Sequence, residues 1–314
     1  MIVAVTGGTG FIGRKLVLRH LARRDNVRVL SRRAPSEAGL PDAVDIHRGD
    51  LAGKIENLQS FVGGVDVLYH CAGELRDSSC MHAIHVAGTQ KLVDAAAGQV
   101  GHWVQLSSVG AYGPISWGVI TEATPENPFG AYEVTKTESD RLVSAAAASG
   151  AFSCTILRPA NVFGPSMPNR SLFSMVAMIE RGLFFFIGKP GASANYIHVD
   201  NVVEGLVLCG SKPAAKGRVY NLSDFLTIEE FVTVIANALG KAPPSMRLPE
   251  APMRFATRLV GKLPGFPLSE SRINALVNRS VYSIMRIQHE LGYMHPVSME
   301  KCLRQFVTEW KRAV

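Results

Sequence analysis

A glycine-rich run directly after the first strand-like segment constrains the fold of this chain more than any other feature. The apolar, β-branched segment Ile2 to Val5 is followed by Thr6-Gly7-Gly8-Thr9-Gly10-Phe11-Ile12-Gly13, which opens a helical pattern. Glycines permit a tight turn, and the N-terminus of the following helix offers unpaired N–H groups to a pyrophosphate. No lysine follows the last glycine, which argues against a nucleotide triphosphate loop. The run therefore predicts a dinucleotide site whose cofactor-binding residues include Gly7, Gly10, Phe11, Ile12 and Gly13.

Strand-like and helical segments alternate up to about residue 160, which is the pattern of βαβ units and a parallel sheet. Strands are predicted at Ile2 to Val5, Val27 to Leu30, Val44 to His47, Val65 to His70, Trp103 to Leu106 and Phe152 to Leu157. Helices are predicted at Phe11 to Arg23, Met81 to Ala97 and Ala131 to Ser149. The predicted fold class is therefore α/β, a doubly wound parallel (Rossmann) sheet.

The alternation ends after Pro165, where proline- and glycine-rich loops such as Leu263 to Pro267 separate mainly helical segments. Two of these helices are predicted at Ile228 to Leu239 and Met299 to Ala313. We expect residues 1–165 to form the dinucleotide-binding domain and residues 166–193 with 223–314 to form a smaller, mainly helical substrate domain. Residues 194–222 are expected to return to the sheet through the strands Ala194 to Val199 and Arg218 to Leu222.

Composition excludes several other classes of protein. The 314 residues are 47% hydrophobic and 19% charged, which suits a large globular core, and no apolar segment is long enough to span a membrane. The net charge of +7 is spread along the chain without a basic run, so nucleic acid is not expected as a partner. The first strand leaves no room for a signal peptide, so a cytoplasmic location is expected.

The cysteines and histidines give no sign of a metal site or a disulfide framework. Five scattered cysteines include no Cys-x-x-Cys pair and are expected to be free thiols. Cys80, His82 and His85 supply suitable ligand types, but no second cluster completes a tetrahedral set. The expected partner is a small-molecule substrate, and a homodimer is left open.

The end of the second strand bears on cofactor choice. An acidic residue there bonds the ribose 2′-hydroxyl of NAD, whereas an arginine accommodates the 2′-phosphate of NADP. This chain has Ser31, Arg32 and Arg33 at that point and no carboxylate. The residues favour NADP(H) over NAD(H), with solvated loop charges as the alternative interpretation.

A tyrosine and a lysine four residues apart are the candidate catalytic pair. Tyr132 and Lys136 share one face of the predicted helix, and an ammonium held close to a phenol lowers its pKa. Ser108 follows the fifth predicted strand, at the edge where open α/β sheets bind ligands. Its hydroxyl is suited to donate a hydrogen bond to an alkoxide that develops during reaction.

With these residues in place, the chain resembles the extended short-chain dehydrogenases/reductases, the NAD-dependent epimerase/dehydratase family. Seven motifs occur in the family's order: Thr6 to Gly13, Gly49-Asp50-Leu51, His70-Cys71-Ala72-Gly73, Ser107 to Gly113, Tyr132 to Lys136, Leu157 to Pro165 and Tyr196 to Val202.

The resemblance implies a role for each matched position. Ser108 would be the hydrogen-bond donor, Tyr132 the acid/base, and Lys136 its electrostatic partner and ribose contact. Pro159 would line the nicotinamide pocket and Asn161 the substrate side. The implied cofactor-binding set also contains Asp50, Leu51, Cys71, Ala72, Gly73 and Ser107.

The chain departs from the family's pattern at three positions. His85 stands where many members have asparagine, Ser31 replaces the acid that favours NAD, and Ala194 replaces an arginine that often grips a nucleotide diphosphate. The last departure weakens the case for a nucleotide-sugar substrate. If such a substrate binds, Arg272, Arg279 and Arg286 are the cations expected to supply the missing charge.

The leading hypothesis is an oxidoreductase that moves hydride between NADP(H) and a hydroxyl or keto carbon, most plausibly of a 4-keto nucleotide sugar or a related metabolite. The alternatives are a nucleotide-sugar 4-epimerase with retained NAD, or a reductase of the dihydroflavonol or 3β-hydroxysteroid type. Ala194 and the aromatic run Phe184 to Phe186 favour the last of these. The wider apolar run Leu183 to Ile187 is interpreted as core, with a pocket wall as its alternative. A non-enzymatic NAD(P)-binding sensor or subunit is the remaining possibility, which the intact Ser108, Tyr132 and Lys136 oppose.

Overall fold

The structure is a computed structural model that describes residues 1–53, 55, 57–260 and 269–313. The predicted loop Leu263 to Pro267 lies outside these residues. The strands are β1 Ile2–Thr6, β2 Asn26–Ser31, β3 Asp45–Arg48, β4 Val65–His70, β5 Val100–Leu106, β6 Trp117–Ile120, β7 Ser153–Pro159, β8 Asn161–Phe163, β9 Phe186–Ile187, β10 Ser193–His198, β11 Arg218–Leu222, β12 Asp224–Thr227, β13 Arg247–Leu248 and β14 Arg279–Tyr282. The helices are α1 Phe11–Ala22, α2 Pro35–Ala38, α3 Leu58–Val62, α4 Ser78–His82, α5 Gly88–Ala96, α6 Ala131–Ala148, α7 Ser171–Glu180, α8 Val199–Ser211, α9 Ile228–Leu239, α10 Glu250–Val260, α11 Glu270–Val277, α12 Met285–Leu291 and α13 Met299–Ala313.

A seven-stranded parallel sheet forms the centre of the protein, in the order β11-β7-β5-β4-β1-β2-β3. The order reverses direction between β1 and β4, so a crevice opens beyond the carboxyl ends of these two strands. Ligands of open α/β sheets bind at such a switch point. The predicted doubly wound Rossmann fold is confirmed.

Helices cover both faces of the sheet because its central strands are apolar on both sides. On one face, α1 and α8 bury Leu16, Val17 and Leu206. On the other face, α5 and α6 bury Leu92 and Val143. Near-continuous apolar strands of this kind are stable only in a sheet that is covered twice.

The strand β10 corrects one prediction. Its residues Ser193–His198 pair with β8 and β12 in a separate three-stranded sheet and not with the central sheet. The other predicted return, Arg218–Leu222, is confirmed as the edge strand beside β7. A hydrophobic pattern shows that a segment is a strand but does not name its partner, because buried strands look alike in both sheets.

The C-terminal part of the chain builds a second core around two predicted helices. The predictions for α9 and α13 are confirmed at the residues Ile228–Leu239 and Met299–Ala313. These helices bury Phe231, Leu303 and Phe306 against α7 and β10. The division of the chain into two domains at residue 165 stays a prediction.

The predicted helix Met81 to Ala97 is interrupted by one π-helical turn, Ala83–Ala87, between α4 and α5. The Thr89 hydroxyl donates to the His85 carbonyl at 2.5 Å, so a side chain satisfies a carbonyl within this turn. Such π-helical turns interrupt the regular hydrogen bonding of an α-helix and are frequent at functional sites. A helical hydrophobic pattern cannot reveal one extra residue in a turn.

The described residues give three further results. Their five cysteines are free. They contain no group of three or more His, Cys, Asp or Glu side chains arranged to hold a metal ion. In the same residues, no helix combines the length and the apolar character that crossing a membrane requires.

Candidate functional site

The turn between β1 and α1 forms a narrow backbone cradle. Gly7 has φ +68°, and a Cβ on this residue would lie 2.8 Å from the Ala72 backbone nitrogen. A Cβ on Gly13 would collide with the Gly7 carbonyl oxygen. The N-cap of α1, Gly10, provides no side-chain cap, and no acidic residue lies in the first turn. The cradle therefore fits a pyrophosphate, because side chains are excluded while the helix N–H groups are left for an anion.

The loop after β4 packs directly against this turn. The Ala72 N–H donates to the Thr6 hydroxyl at 3.3 Å, and Cys71 and Ala72 are half-buried beside Gly7. Gly73 is exposed. The structure thus brings the predicted residues of the turn and of this loop to the same edge of the sheet.

The predicted adenine side of the site is formed by two other strand ends. The Ser31 hydroxyl accepts the Arg33 backbone N–H at 3.0 Å, and the side chains of Arg32 and Arg33 are exposed. Asp50 is half-buried and accepts the Ala52 N–H at 3.0 Å, and Leu51 is buried. Both guanidinium groups are therefore available at the carboxyl end of β2.

Two adjacent serines, Ser107 and Ser108, follow β5 and have different surroundings and hydrogen-bond partners. The Ser107 hydroxyl is buried and donates to the Asp140 carboxylate. The Ser108 hydroxyl is half-buried and accepts the Gly110 N–H at 3.1 Å. Among the described residues no acceptor receives the Ser108 hydroxyl hydrogen, so Ser108 can donate it to a substrate oxygen.

Tyr132 and Lys136 lie on one face of α6, as predicted, and Asp140 follows on the same face at the next four-residue interval. Burial, followed by the nearby carboxylates of Glu133 and Asp140, raises the pKa of Tyr132 to about 12. Lys136 is 4% exposed, and burial lowers its pKa, opposed by Asp140 and Cys71. The prediction that the Lys136 ammonium lowers the pKa of Tyr132 is therefore wrong for this structure, in which the pKa is raised.

A buried ion-pair cluster joins this face of α6 to the strand β7. Arg158 on β7 binds Asp140 at 3.4 Å and also contacts Glu126. The guanidinium lies 5.1 Å from the centroid of the Tyr112 ring. Burial raises the pKa of Asp140, with Arg158 acting in the opposite direction. The cluster therefore holds α6 against β7 one turn after Lys136. One Asp140 oxygen is buried without a hydrogen bond among the described residues.

A cavity of about 290 Å³ opens beside Asn161, where the resemblance places the substrate side. Asn161 is exposed at the start of β8, and Pro159 is buried at the end of β7. The cavity is lined mainly by large apolar side chains, and its walls include Val162, Phe163, Met167, Leu172, Met175, Met178, Phe184, Phe185, Tyr196 and Leu276. The core interpretation of Leu183 to Ile187 holds for Phe184, Phe186 and Ile187, which are buried. Phe184 and Phe185 also form part of the cavity wall, as the alternative expected.

The part of the cavity wall that lies on α7 was not predicted from the sequence. Met175 and Met178 are three residues apart on α7, a helix that was not predicted. The apolar spacing of Leu172, Val176 and Ile179, all buried, was a helical signal that could have revealed it. Pro165 and Pro168 precede the helix and mask its beginning.

The arginines proposed for a diphosphate lie in different places. Ala194, which stands at the position of the family's arginine, is buried in the second core. Arg279 donates to the carbonyls of Lys189 and Pro190, and Arg286 lies 3.9 Å from the Glu122 carboxylate. Arg272 alone of the three lines the cavity.

Comparison with known proteins gives the same picture as the geometry. The profile of the NAD dependent epimerase/dehydratase family matches residues 3–223. A Stigmatella aurantiaca protein, 4-hydroxy-2-methyl-3-oxo-4-farnesyl-3,4-dihydroquinoline-1-oxide ketoreductase, is 27% identical over 95% of this chain and 93% of its own length. The dTDP-glucose 4,6-dehydratase of Streptomyces griseus is 29% identical over 75% of this chain and 78% of its own length.

A solved structure extends the similarity to the whole fold. MoeE5 in complex with UDP-glucose and NAD superposes with a TM-score of 0.75 at 25% identity, covering 100% of this chain and 99% of MoeE5. The matched profile includes the glycine cradle, the strand-end serines and the Tyr132–Lys136 helix face. The chain therefore belongs to the NAD-dependent epimerase/dehydratase family and is an enzyme of the extended short-chain dehydrogenase/reductase type.

Proposed function

We propose that this enzyme interconverts a ketone and a secondary alcohol on a bulky, largely apolar molecule, using NADP(H) in preference to NAD(H). The observation that carries the proposal is the apolar cavity beside Asn161. Apolar side chains, among them three phenylalanines and three methionines, make up most of its wall. A sugar would leave most of its hydroxyls against this apolar surface, since hydrogen-bond partners come only from the minority of polar wall residues, Asn161, Asn169, Ser171, Ser174, Tyr196 and Arg272. The name of the Stigmatella relative, a ketoreductase for a farnesyl-bearing ring, supports the same substrate class.

The proposed roles fall to three side chains of the site, Tyr132, Ser108 and Lys136. Nicotinamide, when bound, supplies or accepts the hydride. Tyr132 donates a proton to the carbonyl oxygen during reduction, and its raised pKa keeps the phenol protonated at neutral pH. Ser108 donates a second hydrogen bond to that oxygen and stabilises the negative charge that develops on it. Lys136 would contact the cofactor ribose and stabilise the charge of the phenolate formed after transfer.

Reduction of a 4-keto nucleotide sugar, or epimerisation of a nucleotide sugar, is the second candidate function. It is favoured by Arg272 in the cavity wall and by the sugar nucleotides named for the dehydratase and MoeE5. Against it stand the buried Ala194 and the apolar wall, because a diphosphate needs directional guanidinium contacts that apolar groups cannot replace.

Two measurements separate these substrate classes. We expect prenylated or polycyclic ketones to oxidise NADPH in a spectrophotometric assay, whereas UDP, dTDP and GDP should not bind in calorimetric titrations at low or physiological salt. A millimolar constant corresponds to only about 4 kcal/mol, which one good diphosphate clamp should exceed. Binding of a nucleoside diphosphate that weakens as salt rises would favour the sugar enzyme.

A matched pair of methionine variants tests the cavity itself. Met175→Glu should raise KM for the apolar ketone by about ten-fold or more, because the cavity would then hold a carboxylate against the substrate. Met246→Glu is the control, since Met246 is 54% exposed and outside the cavity wall. Equal KM values for the two variants would argue that the ketone binds elsewhere.

The preference for NADP(H) is proposed from the two exposed guanidinium groups after β2. The double variant Arg32→Ala with Arg33→Ala should weaken the binding of NADPH by about 1.5 to 3 kcal/mol per lost charge-assisted contact. The binding of NADH should stay nearly unchanged. Dissociation constants from fluorescence titration measure this difference. The charge-matched control is Arg304→Ala with Arg312→Ala on α13, where both side chains are exposed. The proposed preference is wrong if the binding of NADPH and of NADH weakens equally, or if the wild type binds NADH more tightly than NADPH.

A further inference from the structure

His85 is a buried histidine at the position where many members of the family have asparagine. Its side chain is 1% exposed and lies in the π-helical turn between α4 and α5. The ring contacts two other segments of the site, the loop after β4 and the first turn of α6. Each contact uses a different ring nitrogen.

On the cofactor side, the Glu74 backbone N–H donates to His85 Nε2 at 2.8 Å. Gly73 lies against the same nitrogen, since a Cβ placed there would be 3.4 Å from it. The Glu74 carboxylate in turn accepts the N–H groups of Leu75 and Arg76. The imidazole therefore fixes one end of the loop whose other end packs against the glycine cradle.

On the catalytic side, His85 Nδ1 lies 2.8 Å from the Thr135 hydroxyl, next to Lys136 in sequence. That hydroxyl donates to the Ala131 carbonyl at 2.7 Å, so it accepts the hydrogen on Nδ1. The imidazole ring also meets the Tyr132 ring edge-on, with centroids 5.6 Å apart. One side chain thus touches the segment that carries both catalytic groups of α6.

These contacts fix the protonation state of the ring. Because Nε2 accepts a hydrogen bond, the single proton of the neutral imidazole must be on Nδ1. Burial and then the Lys136 ammonium lower the pKa of His85 to about 4, which keeps the ring neutral. A protonated ring would present a second donor to the Glu74 N–H and break that contact.

We infer that His85 is a positioning residue, a neutral imidazole that holds the cofactor loop on Nε2 and the catalytic helix on Nδ1, so that Tyr132 and Lys136 keep a fixed distance from the cofactor. The inference uses the roles of Tyr132 and Lys136 from the proposed function but not its substrate class. It makes the two halves of the ring separately testable.

Asparagine and glutamine each reproduce one half of the ring. The amide nitrogen of asparagine is separated from Cα by the same number of bonds as Nδ1 of histidine. The amide oxygen of glutamine is separated from Cα by the same number of bonds as Nε2 of histidine. His85→Asn should keep the α6 contact and release the loop, so the cofactor Kd should rise about five-fold or more while kcat changes little. His85→Gln should keep the cofactor Kd and lower kcat by about five-fold or more.

The same two substitutions at His82 are the matched controls. His82 is exposed on the preceding helix and should give wild-type constants in both variants. Equal effects of His85→Asn and His85→Gln on Kd and kcat, or wild-type values in both, would overturn the inference. A structural role alone would lower the stability of both variants without separating Kd from kcat.

A measurement on the wild type keeps the test independent of folding and of substrate. In nitrogen-15 NMR of the full chain at neutral pH, the His85 ring should show a protonated Nδ1 and an unprotonated Nε2. A ring protonated on Nε2, or on both nitrogens, would overturn the inference. If no ketone is reduced, the proposed function fails, while this signal and the cofactor Kd still decide the role of His85.

Discussion

Tyr132→Phe is expected to lower turnover by on the order of 10² or more while the cofactor Kd stays at its wild-type value. General acid–base catalysis contributes roughly 10² to 10⁴ in rate, and the substitution removes only the transferable proton and its oxygen. The phenol is half-buried at the start of α6, and burial raises its pKa to about 12. The protonated form is thus present at neutral pH, as reduction of a carbonyl requires.

The experiment compares single-turnover rates and cofactor titrations of the variant and the wild type. Tyr220→Phe is the control, because it removes the same hydroxyl group from a tyrosine on the edge strand β11, where that hydroxyl donates to Glu290 at 2.7 Å. This control should lose stability at most and keep its rate. A rate for Tyr132→Phe within a few-fold of wild type would remove Tyr132 from the proposed mechanism.

The same residue shows how far sequence reasoning reached. The four-residue spacing correctly placed Tyr132 and Lys136 on one helix face, since that spacing is a local property of α6. The sign of the pKa shift was wrong because it depends on burial and on Glu133 and Asp140, which spacing does not reveal. Local geometry was thus predictable, but electrostatics that depend on packing were not.

Some features of the fold could likewise be predicted from local patterns, and others could not. Six strands and the order of the βαβ units follow from alternating patterns, and all six lie in the central sheet. The sheet that Ser193–His198 joins was predicted wrongly, because a buried strand has the same pattern in either sheet. The helix α7, with Met175 and Met178, was missed although the spacing of its buried residues is helical. Which of its side chains line a cavity depends on packing that no local pattern shows. The apolar cavity, which changes the preferred substrate class, could therefore be found only in three dimensions.

Arg158 is where a single substitution should cost the most stability. Its guanidinium binds Asp140 at 3.4 Å, and the two residues are 3% and 2% exposed. Removing one partner of a buried ion pair leaves the other charge unpaired in a low-dielectric interior, which costs about 3 to 5 kcal/mol. We therefore expect Arg158→Met to lower the free energy of unfolding by about that amount in urea titrations.

Arg141→Met is the matched control, because Arg141 binds the same Glu126 carboxylate at 3.2 Å but its side chain is 65% exposed. Exposed ion pairs contribute about 0 to 1 kcal/mol, so this variant should stay close to wild type. A loss no larger for Arg158→Met than for Arg141→Met would show that the buried cluster does not stabilise the fold.

The loss in Arg158→Met should also depend on pH in a defined direction. Burial already raises the pKa of Asp140 above its unfolded value, and removing the guanidinium raises it further. A carboxyl with a raised folded pKa binds its proton more tightly in the folded state, so stability falls as pH rises from the unfolded pKa through the folded one. The deficit of Arg158→Met relative to wild type should therefore be larger at pH 8 than at pH 5. A deficit that is equal at both pH values would mean that Asp140 keeps its charge by pairing with Lys136, the other cation that acts on its pKa.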